Sequence, residues 1–352
     1  MGRVIHGVDG LNTGSWPVST ESLITPPGMF FTRSHAPVPL VDPATWRLRV
    51  DGLVRHKAQF SLRDLSSAFP QRHLTATMVC AGLRREEFLS LGPLPGELPW
   101  GPEPISTGRW SGVSLADVLQ ASDVQDARHV EFVGMDQVER HGVRFGFGGS
   151  VDLHKALSGE VLLATQLNGK PLPPEHGFPI RVVVPGWIGA RSVKWLERIS
   201  VMDAPSTNYF QARAYRFQRV VNPDDPRNVS QGTALTEIPV NSAIVSPLGG
   251  EGLSAGAVTV KGWAIGTGGQ QLKAVEISAD AGSSWVPARI RDGGERWAWS
   301  FWEGELTLPR GQHVLAARAT DENSAQPATV NQTWNVKGYN NNAWHRVPVF
   351  VE

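Results

Sequence analysis

Around residues 216–235 the chain changes character. Before this point, short apolar strands are interspersed with helix-like segments. Beyond it the strands are short and evenly spaced: AVTVKGWAI, LKAVEISAD, WVPARI, WAWSFWEGEL and HVLAARATD. The intervening VNPDDPRNVSQG has the proline, aspartate and glycine content of a linker. Such a break within 352 residues predicts two domains with separate cores rather than one large sheet. We expect a first domain over 1–220, with 1–30 as an extended arm lying over it, and a second over 221–352. Turn signals at Asp280-Ala281-Gly282 and Asp292-Gly293-Gly294 separate the later strands. This spacing predicts an antiparallel, immunoglobulin-like β-sandwich. It lacks the inter-sheet disulfide, because the chain has one cysteine.

The first domain reads as α+β. Trp46–Val54 alternates as a strand, and Ser61 is placed to cap a helix over 61–69. An apolar, β-branched run leads to Cys80, Ser114 heads a second helix over 114–122, and HVEFVGMD is a strand ending at Asp136. A strand from Glu160 then reaches the Asn168-Gly169 turn, and IRVVVPG is a further strand. The chain has neither GxGxxG nor GxxxxGK[ST], which argues against a Rossmann or P-loop site.

Thirty-three basic and thirty-three acidic residues cancel, so bulk charge suggests neither a nucleic-acid nor a membrane partner. Nothing in the sequence reads as a membrane span or an export signal. The expectation is a cytoplasmic protein, or a periplasmic one from which a signal has been removed. One cysteine also excludes a Cys-rich zinc or iron–sulfur site.

Four polar clusters stand out in the first domain: Arg33/His35, Cys80/Arg84/Arg85, His176/Arg181 and Arg191/Ser192/Lys194. Arginine forks and glycine-freed backbone N–H groups suit phosphates and oxyanions. Arginines beside Cys80 are expected to favour its thiolate. From the residues alone three readings stay open. Cys80 is a buried structural thiol, a nucleophile needing a His or Asn partner, or the one protein ligand to a metal whose other ligands come from an organic cofactor.

Several motifs resemble the sulfite oxidase family of molybdenum enzymes. CAGLRRE resembles the family's CAGNRR, and FFTRSHAPVP its F-x-R-N-H-x-P-V-P loop with Ser34 in place of Asn. ISTGRWSGV, PLPPEHGFPIRVVVPGWIGARSVKWLERI, NYFQARAYR and NQTWNVKGYNNNAWHRVPV are also similar. The resemblance implies a mixed α/β molybdopterin-binding domain followed by an immunoglobulin-like dimerisation domain, and hence a homodimer. It implies one molybdenum-molybdopterin per chain with Cys80 as the metal ligand. Arg33, His35, Asp136, His176, Arg181, Ser192, Val193 and Lys194 would contact the pterin. The haem domain of animal members has no room here, so no haem is expected, and electrons would pass to an external acceptor, a cytochrome or oxygen.

The implied activity is oxygen-atom transfer, sulfite to sulfate. Arg33, Arg85 and Trp100 fall at pocket positions of the family. Three positions depart: Phe147 stands for a tyrosine, Gly96 for a lysine and Gln270 for an arginine. Their loss of a hydroxyl and two charges suggests an alternative, the same cofactor acting on a different small oxyanion or a sulfoxide. A catalytically weak cofactor-binding or interaction protein is a further reading, against which Cys80 speaks.

Overall fold

The structure is a computed structural model that describes residues 2–7, 10–220, 231–291 and 294–352. The 221–230 stretch of the expected linker and the Asp292-Gly293 turn lie outside the described residues.

The first domain packs two five-stranded sheets together. One runs in the order Ala58–Phe60, Leu48–Gly52, Leu196–Met202, His129–Arg140, Val143–Asp152, with a single parallel pair, Leu48–Gly52 beside Leu196–Met202. The other is antiparallel and contains Gln71–Val79, Ile105–Ser114, Leu162–Leu167, Lys170–Pro171 and Arg181–Val183. Alternation buries one face of each. Leu48, Val50, Phe132, Ile199, Val113, Leu163 and Val182 meet in one core, closed by Leu115, Val118 and Leu119 of the helix Leu115–Ala121. The expected helix over 61–69 forms as Leu62–Ala68, with Ser61 accepting from the Asp64 N–H in a capping box. Ser114 precedes Leu115–Ala121 without a side-chain cap bond.

The arm is more ordered than its composition suggests. Gly2–Ile5 and Asn12–Trp16 form a hairpin whose second strand also pairs with Thr32–Arg33. Asn12–Ser15 are buried, and the hairpin carries His6 onto Trp100, ring centroids 4.4 Å apart. Polar residues form this strand because Gly14 lets it lie close on Glu103, whose side chain a Cβ at position 14 would meet at 2.5 Å.

The second domain is the expected sandwich. Its ladder starts Asn241–Ser246, Gly256–Ile265, Ser300–Leu308, Val286–Arg291, and continues Leu272–Ser278, Gly311–Asp321, His345–Val351, Gly252–Leu253. The ladder folds over at Val286–Arg291, so that Ile244, Val260 and Trp302 pack against Ile277, Leu315, Ala317 and Val349. The two domains share buried polar contacts. Arg84 donates to Asn241 Oδ1 at 2.8 Å and to the Ser242 carbonyl, and Thr77 N–H donates to the Trp297 carbonyl. Among the described residues, no helix is long and apolar enough to cross a membrane.

Candidate functional site

The strand Gln71–Val79 delivers Cys80 to the floor of a cavity in the first domain. The thiol is buried, 8% exposed, and accepts from the Gly82 N–H at 3.5 Å. Burial raises its pKa, and this outweighs the lowering by the Gly82 N–H, Arg33 and Arg85. The expected thiolate-favouring field is therefore overridden by desolvation. Among the described residues no histidine or asparagine pairs with the sulfur, which leaves a hydrolase-type nucleophile without its base.

Of the positions expected around the cofactor, Arg33, His35, Asp136, His176, Arg181, Ser192 and Lys194 all line this cavity with Cys80. Val193 does not: its side chain packs in the core, and its carbonyl accepts from the Val182 N–H.

Asp136 reaches the cavity through a fault in pairing. His129–Arg140 continues past it, but the register with Val143–Asp152 slips between Val133 and Gln137. A bulge of this kind re-aims a side chain. Asp136 accepts from the Phe147 N–H at 3.2 Å, and burial pushes its carboxyl up to about 6.

Among the described residues, Arg33, Arg181 and Lys194 have no carboxylate within ion-pair distance. Arg181 donates to the carbonyls of His176 and Ser192, at 3.1 and 2.9 Å, and lies over Trp110. Lys194 donates to Ser34 Oγ at 2.6 Å and to the Glu175 carbonyl at 2.9 Å. Burial brings Arg181 down to about 9 and Lys194 to about 7, the Arg181 charge adding to the latter. His176 is pushed down to about 3, first by burial and then by Lys194 and Arg181, and is neutral. Half-buried Arg33 donates to Asn12 Oδ1 and the Ser34 carbonyl. Asp136 is the one acid among the lining residues. An anionic, phosphate-bearing ligand is the complement of such a wall. Among the described residues no group of three His, Cys, Asp or Glu is placed to hold a metal. A metal at Cys80 would thus take its remaining ligands from that group. The cavity fits a molybdopterin on both counts.

Toward solvent the cavity opens into a vestibule lined by Arg33, His35, Gly96, Glu97, Arg140, Arg213, Tyr215, Lys337 and Tyr339. Two of the inferred pocket losses are corrected here. Phe147 lines the cavity, stacked on His35 at 5.3 Å, but Tyr215 supplies a hydroxyl to the same cavity, 2.9 Å from His35 Nε2. Gln270 lies in a separate groove of the second domain with Glu295 and Arg296, away from Cys80. The second domain's cation at the mouth is Lys337. Tyr215 sits in the NYFQARAYR motif, and Lys337 in the matching C-terminal segment, so the signal lay in the motifs.

Other expected residues stand one layer back. Trp100 is fully buried against Gly82 and His6 rather than lining the cavity. Arg85 packs on Gly82, where a Cβ would come within 2.9 Å of its guanidinium. Arg84 points away to the second domain, and buried Arg191 donates to the Leu235 carbonyl.

An α+β domain with a lone thiol under a cationic, acid-poor cavity, joined to a β-sandwich, defines a pterin-dependent metal oxidoreductase. Residues 35–210 match the oxidoreductase molybdopterin binding domain, and 232–352 the Mo-co oxidoreductase dimerisation domain. The chain is 41% identical over 346 residues to the mitochondrial sulfite oxidase of Homo sapiens, covering 94% of this chain and 62% of that protein. It is 40% identical to the sulfite oxidase of Gallus gallus, covering 93% and 73%, and 36% identical to that of Arabidopsis thaliana, covering 93% and 88%. The crystal structure of the sulfane dehydrogenase SoxCD from Paracoccus pantotrophus superposes with a TM-score of 0.77 at 26% identity, over 93% of this chain and 81% of that one. The chain belongs to the sulfite oxidase family of molybdopterin oxidoreductases. It spans about 62% of the length of the mammalian relatives.

Proposed function

We propose that this protein oxidises sulfite to sulfate, using one molybdenum-molybdopterin per chain. The observation that carries this reading is the single buried thiol facing a cavity whose cations, among the described residues, have no carboxylate within ion-pair distance. Cys80 would ligate the metal. Arg33, His35, His176, Arg181, Ser192 and Lys194 would hold the pterin and its phosphate, with Asp136 accepting hydrogen bonds from it. The bound metal supplies two-electron oxygen-atom transfer chemistry.

In the net reaction sulfite gains one oxygen from water and gives up two electrons and two protons. The protein's part is to bind and orient the anion. Arg33, Arg140, Arg213 and Lys337 set a positive field along the vestibule. Arg33 Nη2 lies 3.4 Å from His35 Nδ1. Since arginine only donates, the neutral ring carries its proton on Nε2 and donates to the Tyr215 oxygen. The Tyr215 hydrogen is then free to point at an oxyanion in the cavity. Burial holds the phenol at about 12, so it stays protonated as a donor.

With a tyrosine and a second-domain lysine present, Gly96 is the one substitution left to favour another substrate. Electrons leave to an external acceptor, and the second domain supports a homodimer. Metal analysis with a steady-state sulfite assay and a dye acceptor tests the reading. Molybdenum with sulfite turnover is expected. Protein from a cofactor-competent host that lacks molybdenum and pterin would overturn it.

A further inference from the structure

In the vestibule lining one carboxylate, Glu97, sits among the cations, with Arg85 behind it. Glu97 Oε2 lies 3.3 Å from Arg85 Nη2, and Glu97 Oε1 lies 3.1 Å from Lys337 Nζ. A single acid thus bridges a cation of the first domain to a cation of the second. Its side chain is 14% exposed, Lys337 is 15% exposed and Arg85 is 4% exposed.

The bridge consumes what the cations could offer a substrate. Arg85 donates Nε to the Gly338 carbonyl, Nη1 to the Leu98 carbonyl and Nη2 to Glu97, and its guanidinium carbon stands 4.9 Å above the Tyr339 ring. The first two partners are backbone and fixed, and Gly82 and Gly338 clamp the side chain from either side. Glu97 is the exchangeable partner. Among the described residues, it is also the one charged partner within 4.0 Å of Lys337. It lies in the irregular segment 91–99, immediately after Gly96, whose φ of 77° is in the left-handed region. A chain of non-regular backbone can swing such a side chain aside without breaking a ladder.

We propose that Glu97 is a built-in competitor for the substrate, a carboxylate that occupies the Arg85–Lys337 pair until an oxyanion displaces it. The gate sets which anions enter. A singly charged anion gains no more from the pair than Glu97 already gives it. A dianionic tetrahedral or pyramidal oxyanion gains more, because it brings a second charge and additional acceptor oxygens. Glu97 thereby costs affinity for every anion while widening the margin between dianions and monoanions such as chloride or nitrate. Product release is served by the same device, since the carboxylate returns to the pair as sulfate leaves. The inference rests on the oxyanion reading of the vestibule given above.

The test uses the holoenzyme and its Glu97→Gln variant, which keeps size and hydrogen-bonding capacity while removing the charge. Equilibrium binding of sulfate by titration calorimetry and steady-state kinetics with sulfite are measured on both. In the variant, sulfate binding is expected to tighten roughly tenfold, with a similar fall in the sulfite KM, as one charge-assisted contact implies. Inhibition by chloride is expected to strengthen more than sulfate binding does. The combined Glu97→Gln, Lys337→Gln protein is expected to return sulfate affinity toward that of the parent. Parent and variant that bind sulfate equally, with unchanged KM, would overturn the gate and leave the oxyanion reading standing. If neither protein binds sulfate nor turns over sulfite, both fall. A loss of affinity in Glu97→Gln with an unchanged melting temperature would overturn the gate too, because it would make Glu97 a supporting rather than a competing group.

Discussion

His35 Nε2 and the Tyr215 hydroxyl meet at 2.9 Å across 180 residues of sequence, joining the FFTRSHAPVP loop to the NYFQARAYR segment at the cavity wall. The same imidazole is stacked flat on Phe147, with an interplanar angle of 12°. The hydroxyl and the apolar ring therefore have separate tasks: Tyr215 presents the polar atom, and Phe147 fixes the imidazole that orients it. Tyr215→Phe is expected to lower kcat/KM for sulfite by about 1.5–3 kcal/mol of transition-state binding, roughly 10- to 100-fold, if the oxyanion accepts its proton. Steady-state kinetics check this.

Phe147→Tyr is expected to harm rather than help. Phe147 is packed in an aromatic cluster, 4.3 Å from the Phe210 ring and 5.3 Å from the His35 ring between centroids, and a new hydroxyl would have to be fitted into this packing. Burying it without a partner costs about 1–3 kcal/mol. A fall in melting temperature with no gain in sulfite kcat/KM is the expected outcome. Gln270→Arg, in a different groove, is expected to leave sulfite kinetics as they are.

Cys80→Ser separates ligation from folding. The buried sulfur has one weak hydrogen bond, to Gly82, and the serine oxygen is smaller, so the fold is expected to survive with a melting temperature close to that of the parent. Molybdenum content measured by elemental analysis and sulfite turnover are both expected to collapse. Full activity in this variant would remove Cys80 from the metal site.

The sandwich was legible because short strands recur at even spacing between strong turn signals, with alternation clearest where Gly256–Ile265 begins. The helix at Leu62–Ala68 was legible from Ser61 and Asp64. The arm was not, because its buried residues 12–15 are polar or glycine, Gly14 lying close on Glu103, which leaves no apolar pattern to read. The cavity wall was legible through motifs, and seven of its polar residues converge as expected. Tyr215 was missed because its place depends on a π-helical turn over Phe210–Ala214 that brings position 215 beside position 35. The two arginines after Cys80 look equivalent in sequence, yet Arg84 has a positive φ of 59° and turns its side chain from the thiol toward the second domain.

His345 links acidity to stability in the second domain. It is half-buried, its Nδ1 accepts from the Ile244 N–H at 3.1 Å, and desolvation holds its pKa well below the usual 6.5, with Arg84 acting in the same direction. The unfolded chain binds a proton below about pH 6.5 that the folded chain refuses, so stability is full above this value and falls as pH drops through it. The slope per such histidine reaches about 1.4 kcal/mol per pH unit. His35 and His176 act with the same sign. Denaturant unfolding from pH 7.5 to 5.5 is expected to show declining stability, and His345→Gln, whose amide oxygen can accept from Ile244, a shallower decline.

Arg84 is the joint between the domains, and its removal is the most damaging single change we expect outside the cavity. The side chain is fully buried, and its Nε and Nη2 make a two-pronged contact with Glu87 at 2.6 and 2.9 Å. Nη1 reaches Asn241 and Ser242 of the second domain, and Asn341 closes the cluster by donating to the Arg84 carbonyl and to Glu87. Truncation would leave the Glu87 carboxylate and Asn241 Oδ1 short of partners beside a cavity. Breaking a buried pair from one side costs about 3–5 kcal/mol. Arg84→Ala is therefore expected to lower the unfolding midpoint substantially, whereas Arg84→Lys, which keeps the charge but loses the fork, is expected to fall between. Because Arg84 and Arg85 are adjacent, loosening this joint also loosens the backbone that presents Arg85 to Glu97. Sulfite KM is expected to shift in Arg84→Lys at temperatures where circular dichroism shows the protein still folded, and an unchanged KM there would confine Arg84 to stability alone.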